Sequence, residues 1–392
     1  PLCYHQLLNI ENMQIKQMAS HWLLIIFSLS LLCFHGRSQN TKPQEPEYEC
    51  VDIYKQPSLQ HPKLQNHQIQ MRPSDEVLAM LSGDTSSENL SNDEMVAEFD
   101  IPEEGCPQGQ VPIHKPRNNF NHTEKHFQPI NGFGTVGQHA AVMKKIDATP
   151  WRGASAWISI YQPKVTNKEQ FSMAFIWLNT EYEGERTSAH FGWAVIPALY
   201  GDSRTRLTAY WSQDTFESGC YNVKCKGFVQ IDRRLFLGAG FANTSVVGGQ
   251  NFKAFFAINQ DPKTNNLLLT VGKIYLGYWP EELLPFFTDG AESVIYGGLT
   301  NAPSDNIQLF EIVSPPMGNG NKPLDEEVDL KHTCYMHSLK YVTPDYKSVD
   351  VDSNKVAEVA DAGICYDAIY FDKLGGYGQT FTFGGPGGYC DV

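Results

Sequence analysis

One histidine and a handful of carboxylates are the residues whose type and spacing could do chemistry. His190 lies in "TSAHFGWAVIPALYGD", residues 187–202, in the middle of an apolar, strand-like run. Alternation sends Ala189, Phe191, Trp193 and Val195 to one face and His190, Gly192, Ala194 and Ile196 to the other. The first face is large and apolar and belongs to a core. The second is small around His190, which predicts open space above the sheet at that point. Just upstream, "NTEYEGER" (179–186) supplies Glu181, Glu183 and Glu185; Glu217 and Glu292 are further candidates. Two carboxyl groups could hydrolyse a peptide together, one holding a proton and one activating water. Taken singly, these glutamates read as loop charges in water.

Other chemistries are not written in the chain. There is no GxSxG, no HExxH and no papain-like cysteine context. No CxxC spacing is present among the cysteines, so no zinc site is expected and no cofactor is implied. The Gly-rich "FGGPGG" near the C-terminus has no helix after it and reads as a tight turn, not a phosphate loop.

The elements that must position these groups are strands. After about residue 135, short alternating runs recur between Gly, Asn, Asp and Pro clusters. They are Ala154–Tyr161, Phe171–Leu178, Ala189–Ile196, Arg206–Trp211, Gly227–Ile231, Phe252–Ile258, Leu267–Tyr278, Ser293–Tyr296, Leu309–Val313 and Gln379–Phe383. With no long helical period to compete, this predicts an all-β, antiparallel two-sheet sandwich, jelly-roll-like, over residues 129–392. On such strands Trp193, Trp211, Tyr278 and Tyr296 are core residues before they are ligand platforms.

The N-terminal third has a different texture. Residues 1–38 read as upstream sequence and a signal peptide: Leu23–Phe34 is an apolar stretch too short for a good membrane span, and Gly36–Ser38 offers a cleavage site ahead of Gln39. Residues 39–128 read as a pro-segment. Its 46–72 portion is rich in Pro, His and Gln; between Pro73 and Cys106 come ten Asp and Glu with no Lys or Arg, and a short helix at Ser74–Leu81. The formal net charge of −14 is therefore mostly a property of this stretch. It argues against a nucleic-acid partner and predicts a segment that loosens from the body in acid.

Export makes disulfides expected. Cys50 and Cys106 bracket the pro-segment and are placed to pair, Cys220 and Cys225 would close a tight turn, and Cys365 and Cys390 would tie down the C-terminus. Cys334 is left over. Asn89, Asn121 and Asn243 are glycosylation sequons. The chain is expected outside the cell, in the apoplast or cell wall, with no membrane span in its mature form.

Several stretches together carry a family resemblance. "CVDIYKQPSLQHPKLQNHQIQMRPS" resembles the activation segment of the plant neprosin family. "FGWAVIPALYGD", "YWSQDTFESGCYNVKCKGFVQ", "GYWP", "VIYGG" and the terminal "GGPGGYC" resemble its main domain, in the same order and with similar spacing. The resemblance implies a secreted proprotein whose mature part is a sandwich of two curved sheets. It also implies a glutamic endopeptidase, active in acid, that cuts near proline without metal or cofactor. Two glutamates would do the chemistry, one two residues before the Gly-Trp of "xEAGW", the other after the Gly-Gly of "VxxGGE". In this chain those places hold His190, in "AHFGW", and Leu299, in "VIYGGL". Leu299 can neither hold a proton nor orient water. A lone histidine is expected to be protonated at acid pH and so to be no base there. The expectation is a catalytically impaired protein of this fold that binds a peptide, proline-rich or cell-wall ligand in its cleft. The alternatives are an active acid endopeptidase using Glu181, Glu183, Glu185 or Glu292 beside His190, and a purely structural role in the wall.

Overall fold

A computed structural model describes residues 47–86, 94–115, 136–145, 149–213, 218–303, 311–324 and 328–391. The signal-peptide reading, and the sequons at Asn89 and Asn121, lie outside these residues. So does Glu217. Asn243 sits exposed in a loop. Among the described residues no helix is long and apolar enough to cross a membrane.

The N-terminal segment forms β1 (Tyr48–Asp52), α1 (Asp75–Ser86), β2 (Glu94–Val96) and β3 (Gln110–His114). The body continues with β4 (Gln138–Lys145), β5 (Gly153–Ser159), β6 (Phe171–Tyr182), β7 (Glu185–Val195) and the single turn α2 (Pro197–Tyr200). Next come β8 (Arg206–Gln213), β9 (Ser218–Tyr221), β10 (Val229–Gln230), β11 (Asn251–Gln260), β12 (Leu267–Val271), β13 (Ile274–Trp279) and β14 (Ser293–Asn301). The last strands are β15 (Cys334–Val342), β16 (Ser348–Asp350), β17 (Val356–Ala360), β18 (Asp367–Phe371) and β19 (Thr380–Gly384).

Among the described residues these strands make two large sheets. One has seven strands in the order β17-β4-β14-β6-β7-β8-β9. The other has ten, along β10-β13-β12-β11-β5-β15-β19-β18, with β16 beside β15 and β2 beside β11. Within the body every pairing is antiparallel. The facing sides fill one core: Ala189, Phe191, Trp193 and Ile176 from the first sheet meet Ala156, Ile158, Phe256 and Met336 from the second. Phe191 and Phe256 meet edge to face at 5.4 Å, and the Trp193 indole N–H donates to Ser159 O at 2.9 Å across the sheets. The molecule is thus an all-β sandwich preceded by a short, partly helical segment.

The expected run Leu267–Tyr278 is a hairpin, β12 and β13, because Gly272 takes a left-handed φ of 57° and turns the chain. Glu311–Val313 forms no strand, and Leu309 and Phe310 are outside the described residues. β15 escaped sequence reading because its alternation breaks at Ser338, which sits at φ 51° where the register against β5 shifts between His337 and Lys340. Trp193, Trp211, Tyr278 and Tyr296 are all buried core residues.

The N-terminal segment is docked, not free. Val77 and Leu81 of α1 pack on Trp157, Phe255, Leu268 and Tyr278, the outer face of the ten-stranded sheet. Its backbone is fastened to the body as well: Ser74 N–H donates to the Asp261 carboxylate at 2.8 Å. Disulfides join Cys50 to Cys106, Cys220 to Cys225 and Cys365 to Cys390. Cys334 is free and buried, and burial pushes its thiol up to about 12.

Candidate functional site

The outer face of the seven-stranded sheet carries His190, Leu299 and their surroundings. On β7, His190 faces Trp177 of β6 on one side and Tyr210 of β8 on the other. The expected open space above it is filled by rings. Trp177 lies 4.3 Å away centroid to centroid, Phe175 5.1 Å and Tyr210 5.4 Å, the last nearly perpendicular. His190 is 2% exposed, and neither ring nitrogen has a hydrogen-bond partner among the described residues. Burial alone drives its pKa well below the usual histidine value. This corrects the expectation of a charged ring in acid: the cage holds His190 neutral further down the pH scale.

Gly192, on the face expected to be open around His190, makes no cleft. It serves the sheet instead. A Cβ there would stand 2.1 Å from Ala174 O and 2.7 Å from Phe175 Cα, so the neighbouring strand approaches closely only because the side chain is absent.

Leu299 sits on the same face in β14, across from Met173 of β6 and Ala140 of β4. It is 1% exposed within an apolar cluster that also holds Val142, Phe171 and Ala194. The cluster also takes in Tyr200, Tyr210 and Tyr221, whose phenols burial pushes upward.

The candidate carboxylates are elsewhere. Glu181 faces Arg186 in the last rungs of the β6–β7 hairpin and pairs with it at 3.2 Å. Glu183 occupies the turn at φ 53°, and Glu185 opens β7 in solvent. Glu292 precedes β14 and accepts from Glu181 N–H at 3.3 Å. The structure therefore gathers Glu181 and Glu292 at the sheet's end, and among the described residues it brings no carboxylate into hydrogen-bond contact with His190.

A charged cluster that sequence reasoning missed lies on the same face. Arg206 of β8 is 1% exposed, level with Ala194. Its guanidinium takes both oxygens of Glu47, at 2.8 and 2.9 Å, and the Asp202 carboxylate at 2.6 Å, with the Tyr200 ring 5.2 Å away. Burial opposes its charge, but the hydrogen bonds of Glu47 and Asp202 outweigh it and raise the pKa. Alternation in "RLTAYW" puts Arg206 in phase with Thr208 and Tyr210, opposite the core residues Leu207, Ala209 and Trp211, so the sequence reads it as an outward charge. Its partner Glu47, 159 residues earlier, was not legible.

The family model described as Neprosin matches residues 168–386, more than half of the chain, and the model described as Neprosin activation peptide matches residues 43–134. Two solved structures show distant likeness. The crystal structure of Scytalido-glutamic peptidase with a peptide based transition state analog is 8% identical, with 63% of this chain and 97% of that one covered at a TM-score of 0.30. The β-porphyranase BpGH16B from the human gut bacterium Bacteroides plebeius is 7% identical, with 58% and 88% covered at 0.24. Similarity at that level carries no argument about the site.

Proposed function

The chain belongs to the neprosin family, and we propose that within it this protein keeps the peptidase fold but has given up the two-carboxylate chemistry, acting outside the cell by binding a peptide or cell-wall ligand. His190 and Leu299 stand where the resemblance puts the two family glutamates. The observation that carries the reading is the state of His190: buried in a cage of Phe175, Trp177 and Tyr210, with no carboxylate bonded to it among the described residues. A general base must reach the proton it takes, directly or through one water, and a pair must share the work. A neutral, walled-in imidazole and a leucine offer neither. Loss of a positioned acid–base group typically costs roughly 10²–10⁴-fold in rate. Removal of the N-terminal segment, where it occurs, would then fall to another peptidase.

The test is cleavage of a mixture of proline-containing peptides by the secreted protein, across the acid-to-neutral range. A His190→Glu/Leu299→Glu variant, with its fold verified by circular dichroism, runs beside it. Silence from the natural chain and cleavage by the variant is the expected result. Cleavage by the natural chain would overturn the reading and direct attention to Glu181 and Glu292, which the Glu181 backbone N–H and the Glu292 carboxylate join at the sheet's end.

A further inference from the structure

On the outer face of the ten-stranded sheet, away from His190, the N-terminal segment inserts a carboxylate into the body. β2 runs parallel to β11, with Glu94, Met95 and Val96 facing Asn251, Phe252 and Lys253. Ala97 N–H donates to Lys253 O at 2.8 Å. β12 pairs only with Phe256–Gln260, so β2 is an added strand along the stretch of β11 that β12 leaves open.

Glu94 then points into a pocket built wholly by the body. One carboxylate oxygen lies 3.1 Å from Lys253 Nζ, and the other accepts from the Tyr335 hydroxyl. Asn251 Nδ2 donates to that same hydroxyl at 3.2 Å and fixes its direction. Lys253 is fully buried and also lies 3.1 Å from His337 Nε2. His337 stacks on Trp157 with ring planes 10° apart, and the ammonium stands 5.5 Å from the Trp157 ring and 5.7 Å from that of Tyr377. Beside the pocket is an apolar cavity of about 330 Å³ lined by Val96, Phe99, Trp157, Phe255, Val271 and Ile274.

The body thus supplies a buried cation, a phenolic donor and aromatic walls, while the segment supplies the anion. A buried ammonium stripped of its partner is strongly destabilising. An ammonium and a hydroxyl aimed at the two oxygens of one carboxylate form a charge-assisted site for that group. The open edge of β11 reads a peptide backbone by strand addition, as Glu94–Val96 already demonstrates.

We infer that the ten-stranded sheet carries a peptide-docking site for an acidic side chain on an extended segment laid along Asn251–Lys253, and that Glu94 fills it in cis. When the N-terminal segment departs, the site passes to an acidic strand of another molecule. The site stands whether or not His190 and Leu299 have lost their chemistry.

The full chain carrying Glu94→Ala tests it. Propionate should raise the variant's unfolding temperature, and propionamide, the same shape without charge, should not. A labelled peptide of residues 91–101 should bind the chain carrying Glu94→Ala and Ala97→Pro, whose own strand has lost the Ala97 N–H bond to Lys253 O, about tenfold more tightly than the same peptide with Gln at its first glutamate, and the wild-type chain should bind neither. Equal response to propionate and propionamide, equal binding of the two peptides, or binding of neither would overturn the inference. If the alanine variant does not fold, Glu94→Gln serves. It should unfold below the wild type, and adding Lys253→Met should recover most of the loss; additive losses would overturn the coupling.

Discussion

His190 and Leu299 share one face of the seven-stranded sheet but not one rung of it. Through β6, His190 is level with Ile295 and Leu299 with Ala194. The offset is four residues along strands, about 13 Å, and two strands across. The row between them is Gly297, Phe175 and Gly192, so only Phe175 raises a side chain there. Two glutamates installed at these places would have to lean over that row to share a water.

Leu299→Glu should be tolerated in acid and costly at neutral pH. The new carboxyl would enter a buried apolar cluster, so burial would raise its pKa above the unfolded value. The folded state then holds the proton longer than the unfolded state, and stability falls as pH rises through the carboxylate range. A loss of about 4 kcal/mol is expected near neutrality, for a shift of roughly three pKa units. Urea unfolding at several pH values measures it. A pH-independent loss would mean that water reaches Leu299.

His190→Phe should leave the protein as stable as before at neutral pH, or up to about 2 kcal/mol more so, because two unpartnered ring nitrogens leave the interior. His190 has its pKa depressed by burial. The unfolded chain therefore takes up the proton first, below about pH 6.5, and stability drains as pH falls from there. The phenylalanine variant should lose less on that descent. A parallel descent of variant and wild type would show that the ring is hydrated in solution.

Gly192→Ala separates a cleft residue from a packing residue. A Cβ would collide with the β6 backbone at Ala174 and Phe175. A loss of roughly 1–3 kcal/mol in thermal or chemical unfolding is expected, typical of overpacking. An alanine variant of unchanged stability would mean that β6 and β7 have room between them.

Asp84 makes the pro-segment's response to acid uneven. At the end of α1 its carboxylate takes hydrogen bonds from Ser348 and, at 3.3 Å, from Ser155, yet burial dominates and raises its pKa. A carboxylate raised on folding weakens the docked state as pH climbs through its titration range, so acid relieves Asp84. Asp84→Asn should therefore tighten the segment at neutral pH, by up to about 1 kcal/mol, and change little in acid. Protection of the segment from limited proteolysis reports this. Equal effects at both pH values would show that Asp84 is solvated.

Much of the architecture was legible because alternation is a local property. Phe191, Trp193 and Val195 announced a core face, and the Gly-rich turns announced where strands end. The hairpin within Leu267–Tyr278 and the bulge at Ser338 were not legible, since each hangs on one residue taking a positive φ. The proposal that His190 and Leu299 stand at the places of the two family glutamates rests on sequence alone. The environment of His190 was not, because Phe175, Trp177 and Tyr210 reach it from two other strands. Composition told that the N-terminal segment is acidic. Only the folded chain decided which of its carboxylates are anchored, since Glu94 meets Lys253 at a separation of 159 residues and Glu47 meets Arg206 at the same distance. Side-chain periodicity is set by neighbours in the chain, whereas desolvation and charge pairing are set by neighbours in space.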